Sequence, residues 1–315
     1  MYNFCTLFDS YYLTRGVALY ESLLATCPRF HLYIYAFDDA SCKLLSDLNL
    51  QHATIVSLAA FEDDALLQVK PTRTVGEYCW TCTPSVIKHA IETYQLPSCT
   101  YLDADIYFFS NPATLIDEMT DRSILITEHR YTPEYDQTKN SGIYCVQFTT
   151  FKNDAVGMAA LNWWRDACIE WCFNRVENGK FGDQKYLDDW PLRFKNVHVL
   201  ENLGGGVAPW NVQQYDLSDQ DFEVVFYHFH GLKFIQDDKV NLGKYKYTQA
   251  VFDRIYRPYI GHIEHINARL ASLNPLFRKD QSVAYEAKTG FLKRLARSSK
   301  GHYHVYNKSK FICHN

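Results

Sequence analysis

No stretch of the 315-residue chain approaches the roughly 20 apolar residues needed to span a bilayer. The N-terminus lacks a basic region followed by an apolar stretch and a small-residue cleavage site, so no signal peptide is expected and the expected location is cytoplasmic. Positive charge is not in excess. The formal net charge of −4 argues against a nucleic-acid partner. The first apolar run leads into Phe8-Asp9-Ser10-Tyr11-Tyr12 rather than a G-x-G-x-x-G loop, which argues against a dinucleotide-binding dehydrogenase and a P-loop NTPase. Ten cysteines are present but scattered, and Cys79-Trp-Thr-Cys82 has no second pair at zinc-finger spacing. They read as small buried hydrophobes in a reducing compartment. There is no internal repeat and no low-complexity linker.

What the chain has is aromatics, 23 Tyr and 20 Phe, and enough apolar residues for a full core. Asn3 to Phe8 reads as a strand. Thr14 to Ala25 follows as a helix capped by Thr14. His31 to Phe37 is a strand, Ala40 to Leu48 a helix and Ala53 to Ser57 a short strand. Thr83 to Tyr94 has helical spacing, with Thr83 as cap and Pro84 at the first position. It leads into an apolar strand at Cys99 to Leu102. Strands alternating with helices predict an α/β fold, a mainly parallel sheet flanked by helices. Its binding crevice lies at the carboxyl ends of the strands, where Asp9, Asp38 and Asp103 fall.

The central stretch is Tyr101-Leu-Asp-Ala-Asp-Ile-Tyr-Phe-Phe-Ser-Asn-Pro112. In extended conformation Asp103 and Asp105 point to one side. Two carboxylates projecting together call for a cation, and a hard divalent ion suits them and holds a diphosphate in turn. Asp-x-Asp alone is a weak signal, common in surface turns; the buried strand before it and the aromatic run after it strengthen the reading. Further strands are expected at Ser123 to Thr127, Ile143 to Phe148 and Phe222 to Phe229, and a helix at Leu161 to Arg175. Gly204-Gly-Gly206 matches no phosphate-loop pattern and reads equally well as a plain tight turn. His228 and His230 point the same way at a strand end. A histidine beside two carboxylates favours Mn²⁺ over Mg²⁺.

Four motifs occur in one order: Asp103-Ala-Asp105, Asn140-Ser-Gly142, Gly182-Asp-Gln184 and His228-Phe-His-Gly231-Leu-Lys233. Together they resemble the signatures of GT-A-fold glycosyltransferases, in particular the glycogenin-like and lipooligosaccharide galactosyltransferase-like enzymes of family 8. The similarity covers roughly Asn3 to Lys233. The run Trp163 to Cys172 also resembles uncharacterised bacterial sugar transferases that accompany surface-polysaccharide functions. The resemblance implies a Rossmann-like nucleotide-diphospho-sugar transferase domain, taken as residues 1–250; from Val251 onward the pattern itself turns helical and basic, and residues 251–315 read as an appendage outside the resemblance. It implies a metal-dependent, retaining transfer of sugar from a nucleotide-sugar donor, by default a UDP-sugar, to a glycan or lipid-linked glycan. Asp103, Asp105 and His228 would hold Mn²⁺, or in second place Mg²⁺. Thr6, Phe8, Asp9 and Tyr12 would surround the nucleoside, and Asn140 and Gly142 would border the sugar. Asp183 and Gln184 would face the reacting carbon, and Lys233 the departing diphosphate. Were the enzyme inverting, Asp183, Asp188 or Glu128 would be the base.

The sequence departs from that pattern in two places. Lys233-Phe234-Ile235 stands where the family has Lys-Pro-Trp, one residue closer to the glycine, and His230 competes with His228 as ligand. The competing functional classes are a sugar nucleotidyltransferase and a non-catalytic carbohydrate-binding protein. The first would open with a glycine-rich basic loop after its first strand, and the second would have lost the acidic pair or the histidine. The basic tail (Arg278, Lys279, Lys288, Lys293, Arg294, Arg297, Lys300, Lys308 and Lys310) with a helix at Phe291 to Arg297 suits peripheral contact with the anionic inner face of the cytoplasmic membrane.

Overall fold

The computed structural model describes residues 1–235, 238–274, 277 and 304–312. Strands β1 (Tyr2–Phe8), β2 (Phe30–Ala36), β3 (Ala53–Ser57), β4 (Ser98–Leu102), β6 (Ile124–Glu128), β7 (Tyr144–Lys152) and β8 (Val197–Val199) form one sheet in the order β3-β2-β1-β4-β7-β6-β8. Neighbours pair in parallel except that β7 runs against both β4 and β6. Strand β5 (Ile106–Phe108) pairs separately with β9 (Phe226–His228). A third sheet joins β10 (Lys233–Ile235), β11 (Lys239–Asn241) and β12 (Val305–Asn307).

Both faces of the main sheet are covered, so its strands are apolar at nearly every position. Along β1, Phe4 and Phe8 enter one core while Cys5 and Leu7 enter the other. The same alternation puts Leu32 and Ile34 of β2 in the first core and Tyr33 and Tyr35 in the second. Helix α1 (Leu13–Thr26) covers the first face. Helices α3 (Val75–Thr93) and α4 (Ala155–Glu170) cover the second, while α2 (Asp39–Asp47) leads from β2 to β3. Helix α5 (Arg257–Leu273) packs into the first core, burying Tyr259, Ile260, Ile263, Ile266 and Leu270 beside α1. The helix expected at Phe291 to Arg297, and the basic residues from Arg278 to Lys300, lie outside the described residues. Lys308 and Lys310 are described, and Lys308 is buried against Glu264 at 3.0 Å. Among the described residues, no helix is long and apolar enough to cross a membrane.

Several element boundaries differ from the sequence expectation, each for a local reason. Helix α3 begins nine residues before Pro84, at a Thr74–Glu77 capping box that satisfies two end groups at once. Pro84 therefore sits inside the helix. Thr14 does not cap α1; its hydroxyl bonds Asn267 of α5 at 2.9 Å. Helix α4 starts earlier, at the Asp154 cap, and ends at Glu170. Of the run from Phe222, only Phe226–His228 is strand. The glycine run is closer packed than an open turn. A Cβ on Gly204 would lie 2.1 Å from the Glu223 carbonyl, and Gly206 sits at φ +85°, where a side chain is strained.

Candidate metal and nucleotide site

Asp103 follows the last residue of β4, where the chain leaves the sheet. Its N–H donates to the Gln147 carbonyl of β7 at 3.1 Å, and its own carbonyl accepts from Ile106 N–H at 3.3 Å. That closes a tight turn through Ala104 and Asp105 and sends the chain into β5. The turn, rather than strand alternation, puts the two carboxylates side by side. Strand β5 then pairs with β9 so that Ile106 lies opposite His228, and Phe229 N–H donates to the Asp105 carbonyl at 2.9 Å. A residue more than 120 positions away in sequence is thereby laid against the acidic turn.

His228 Nε2 is 3.2 Å from Asp105 Oδ1 and 3.8 Å from Asp103 Oδ2. One ligand atom from each of the three lies within 4.8 Å of the others. His230, the competing histidine, is not in that group. Burial raises the Asp103 carboxyl to about 6, with the nearby His228 charge opposing and the Asp105 charge adding. Burial acts on Asp105 too, but the charge and hydrogen bond of His228, followed by Arg15, hold it well below the usual carboxylate range. The same pair raises His228 well above an ordinary histidine, against its burial. Two carboxylate oxygens and one imidazole nitrogen at this spacing suit a divalent cation.

These residues form the floor of a cleft of about 750 Å³ at the carboxyl ends of β1 and β4. One wall is the β1–α1 turn with Phe8, Asp9, Tyr11 and Tyr12, next to Val75, Cys79 and Trp80 of α3. Tyr131, Ser141, Trp210 and Tyr245 stand on the lining as well, with Asp183 and Gln184. The β1–α1 turn is fixed from two sides. Asp9 Oδ1 accepts from the Tyr11 and Tyr12 amides at 3.0 and 3.2 Å, and Asp38, which caps α2, accepts from Ser10 N and Oγ at 2.8 and 2.7 Å. Cys79 and Cys82 both lie on α3, and burial pushes the Cys79 thiol up to about 12, so it is an unreactive wall residue.

No family model matches the chain. YfnD of Bacillus subtilis (strain 168), itself uncharacterised, is 31% identical over 292 residues, which are 88% of this chain and 93% of YfnD. The chain belongs to the YfnD family. YfnF of the same organism, also uncharacterised, is 29% identical over 290 residues, 87% of this chain and 95% of YfnF. Among solved structures, the apo bifunctional glycosyltransferase WbbM superposes with a TM-score of 0.54 and 11% identity, over 85% of this chain and 51% of WbbM. At that identity the likeness is one of architecture. This YfnD-family chain has the GT-A glycosyltransferase fold, as its four motifs suggested.

In the YfnD-family cleft, Phe8, Asp9, Tyr12, Asp103, Asp105, Asp183, Gln184 and His228 come together, and His230 joins them. Thr6, Asn140, Gly142 and Lys233 are not among the lining residues. Thr6 is fully buried within the sheet, and its hydroxyl has no hydrogen-bond partner among the described residues. Asn140 and Lys233 are exposed. Gly142 is buried at φ +100°, with the Asp188 carboxylate 2.8 Å from where a Cβ would stand. Asp188 also accepts from Ile143 N–H and Lys185 Nζ, both at 2.7 Å, which gives it a bracing role. Neither Asp188 nor Glu128 lines the cleft.

Three further residues border the acidic centres without a role assigned to them in the sequence reading. Arg15 of α1 is buried, 4.0 Å from Asp105 Oδ2, with its other nitrogen 3.0 Å from the Leu232 carbonyl. Helical periodicity marks that position only as another residue of α1. Tyr101 and Thr83 stand between the two acidic centres: Tyr101 lies beside Asp103, and Thr83 beside both Tyr101 and Asp183. Gln184 Nε2 donates to the Ser141 carbonyl at 2.7 Å, and Trp164 Nε1 to the Asp183 carbonyl at 2.9 Å, so this segment is firmly held.

Burial, followed by the Asp103 charge, pushes the Asp183 carboxyl up to about 7. A carboxyl whose folded pKa exceeds its unfolded one binds its proton more tightly in the folded state. Its stabilisation is present below about pH 4 and is lost as pH rises toward 7. Asp183→Asn removes this dependence. In metal-stripped protein, urea midpoints at pH 4.5, 5.5 and 6.5 should fall less steeply for the variant than for wild type. The difference in slope is at most about 1.4 kcal/mol per pH unit. Parallel slopes would show that Asp183 ionises like an exposed carboxyl.

Proposed function

We propose that this chain is a metal-dependent glycosyltransferase that moves a sugar from a nucleoside-diphosphate donor, a UDP-sugar by resemblance, to a hydroxyl of a glycan or lipid-linked glycan. The observation that carries the reading is the convergence of Asp103, Asp105 and His228 on one point of a cleft. That cleft also presents an aromatic turn at the end of β1 and a buried carboxyl at Asp183. Mn²⁺ fits the donor set better than Mg²⁺ because an imidazole shares it. When bound, the ion neutralises charge on the diphosphate and acts as a Lewis acid toward the departing phosphate.

The chain's own residues divide the remaining work. Tyr12 offers a ring face to the base, Asp9 holds the turn in shape, and Phe8, its ring packed in the core against Gly16 of α1, supports the turn from beneath. Arg15 keeps positive charge behind Asp105. Asp183, with Gln184 beside it, faces the positive character that grows on the anomeric carbon as its bond to phosphate breaks. In a retaining transfer the new carbon–oxygen bond forms on the face the diphosphate leaves, and the acceptor proton goes to the departing phosphate. In an inverting transfer Asp183 takes that proton. Retention is the reading that the resemblance favours. A role in bacterial surface-polysaccharide synthesis, with the basic segment beyond Asn274 resting on the membrane, belongs to the same proposal.

The test is calorimetric titration of UDP and GDP into metal-stripped protein, with and without Mn²⁺. Mn²⁺-dependent binding of one nucleotide is expected, with UDP favoured. Folded protein that binds neither nucleotide in the presence of Mn²⁺ would sink the donor-site reading.

A further inference from the structure

Gln147 touches both halves of the acidic–histidine centre, yet no sequence motif contains it. It is fully buried on β7. Strand β7 pairs with β4 so that Phe148 lies opposite Leu102, which carries the Gln147 carbonyl just past the end of β4 to accept the Asp103 N–H at 3.1 Å. Its side chain reaches the other way, placing Oε1 2.6 Å from His228 Nδ1. One residue thus holds the main chain of one ligand and the ring of another.

The ring contact decides which nitrogen is available. His228 Nε2 is the atom that faces Asp105 and Asp103. To ligate a cation, Nε2 must carry its lone pair, so the ring proton must sit on Nδ1 and needs an acceptor there. Gln147 Oε1 is that acceptor. With the amide reversed, an N–H would meet Nδ1, the ring proton would move to Nε2, and the ligand would be blocked. Cys145, two residues earlier on β7, also contacts the ring, but a thiol is a weak partner.

The surroundings show that the oxygen is the useful half of this amide. Gln147 Nε2 is buried and has no hydrogen-bond partner among the described residues. Leaving a buried amide nitrogen unpaired is destabilising, a cost that an apolar side chain of the same length would avoid. The nitrogen packs against Gly206, where a Cβ would come within 3.2 Å of it. The loop is pinned in turn: Asn211 Nδ2 donates to the Gly206 carbonyl at 2.9 Å, and the Val207 carbonyl accepts from His228 N–H at 2.9 Å. The glycine run is therefore the back wall of the histidine's support.

We propose that Gln147 is a positioning residue that fixes the His228 ring with Nε2 open toward Asp103 and Asp105. The inference rests on the metal-dependent reading above, and one titration series separates the two. Mn²⁺ alone is titrated into metal-stripped wild type, Gln147→Leu and Gln147→Glu, with free Mn²⁺ followed by electron paramagnetic resonance and folding checked by thermal melts. Gln147→Leu should bind about 10- to 100-fold more weakly, as losses beside metal-ligating histidines do. Gln147→Glu, which keeps the acceptor, should bind about as tightly as wild type. A purely structural glutamine predicts the opposite order, because a buried carboxylate disturbs the fold more than leucine does. If Gln147→Leu does not fold, Gln147→Met carries the same comparison. Wild-type affinity in the apolar variant, or a glutamate variant weaker than it, overturns the inference and leaves the metal site standing. A wild type that binds no Mn²⁺ overturns the metal reading and this inference with it.

Discussion

Asp105→Ala is expected to lower Mn²⁺-dependent release of UDP from UDP-sugars by at least about 10³-fold, equivalent to about 4 kcal/mol of transition-state stabilisation. Asp105 lies between two basic groups of the site, 3.2 Å from His228 and 4.0 Å from Arg15. Alanine removes one of the two carboxylates that, among the described residues, converge with His228 on the cation position. It also leaves a buried guanidinium facing a shortened side chain. The turn itself should survive, because the Phe229 N–H bonds the main-chain carbonyl of residue 105. Loss of activity in a folded protein is therefore the expected outcome. Linkage adds an independent check. The raised His228 contributes stability that is present at low pH and lost as pH rises through its folded value. The depressed Asp105 contributes stability that is present above the unfolded carboxyl value and lost as pH falls through the folded one. Both contributions hold at pH 5 to 6, so the metal-stripped variant should be less stable than wild type there. Turnover within tenfold of wild type would show that the acidic turn is not the catalytic centre.

The second large effect concerns what holds that turn in place. Phe229→Ala should destabilise the protein by about 3–5 kcal/mol and lower the melting temperature by about 10 °C. Phe229 is fully buried and stacks on Tyr259 of α5, with ring centroids 3.6 Å apart and planes at 12°. Tyr256 and Tyr227 close the cage at 5.5 and 4.8 Å. Since residue 229 follows His228 and donates to Asp105, its ring fastens the ligand turn to a helix more than 25 residues further on. Mn²⁺ affinity should therefore fall together with stability. Phe4→Ala provides the contrast: that ring is equally buried, but its aromatic neighbour is Phe30 of β2. It should lose comparable stability while the folded fraction keeps its metal affinity. Equal affinity losses in both variants would show that Phe229 has no special coupling to the site.

Much of this arrangement was legible because it depends on local pattern. Short, nearly continuous apolar runs marked β1, β2 and β3, and the carboxyl ends of the parallel strands located the cleft at Asp9 and Asp103. The choice of His228 over His230 came from the family resemblance and not from local spacing. In an extended run both point the same way, and the pairing of β9 with β5 is what brings His228 alone to the carboxylates. The start of α3 was misplaced because Thr83-Pro84 is a good helix opening on propensity alone. The Thr74–Glu77 box wins by satisfying two end groups, and Pro84 is tolerated inside. The glycine run offered two readings to the sequence. Its real constraint is the carbonyl of Glu223 and the amide of Gln147, contacts made across the fold.

The sequence by itself determined the α/β class, the acidic pair and its aromatic flanks, since each rests on spacing within a few residues. Tertiary structure decided which distant groups complete the site. Arg15 on α1, Gln147 on β7 and Thr83 on α3 come within reach of the carboxylates only when the sheet stacks its helices on two faces. Their sequence positions carry no mark of it, because a buried side chain is selected by its neighbours in space and those neighbours lie up to two hundred residues away along the chain.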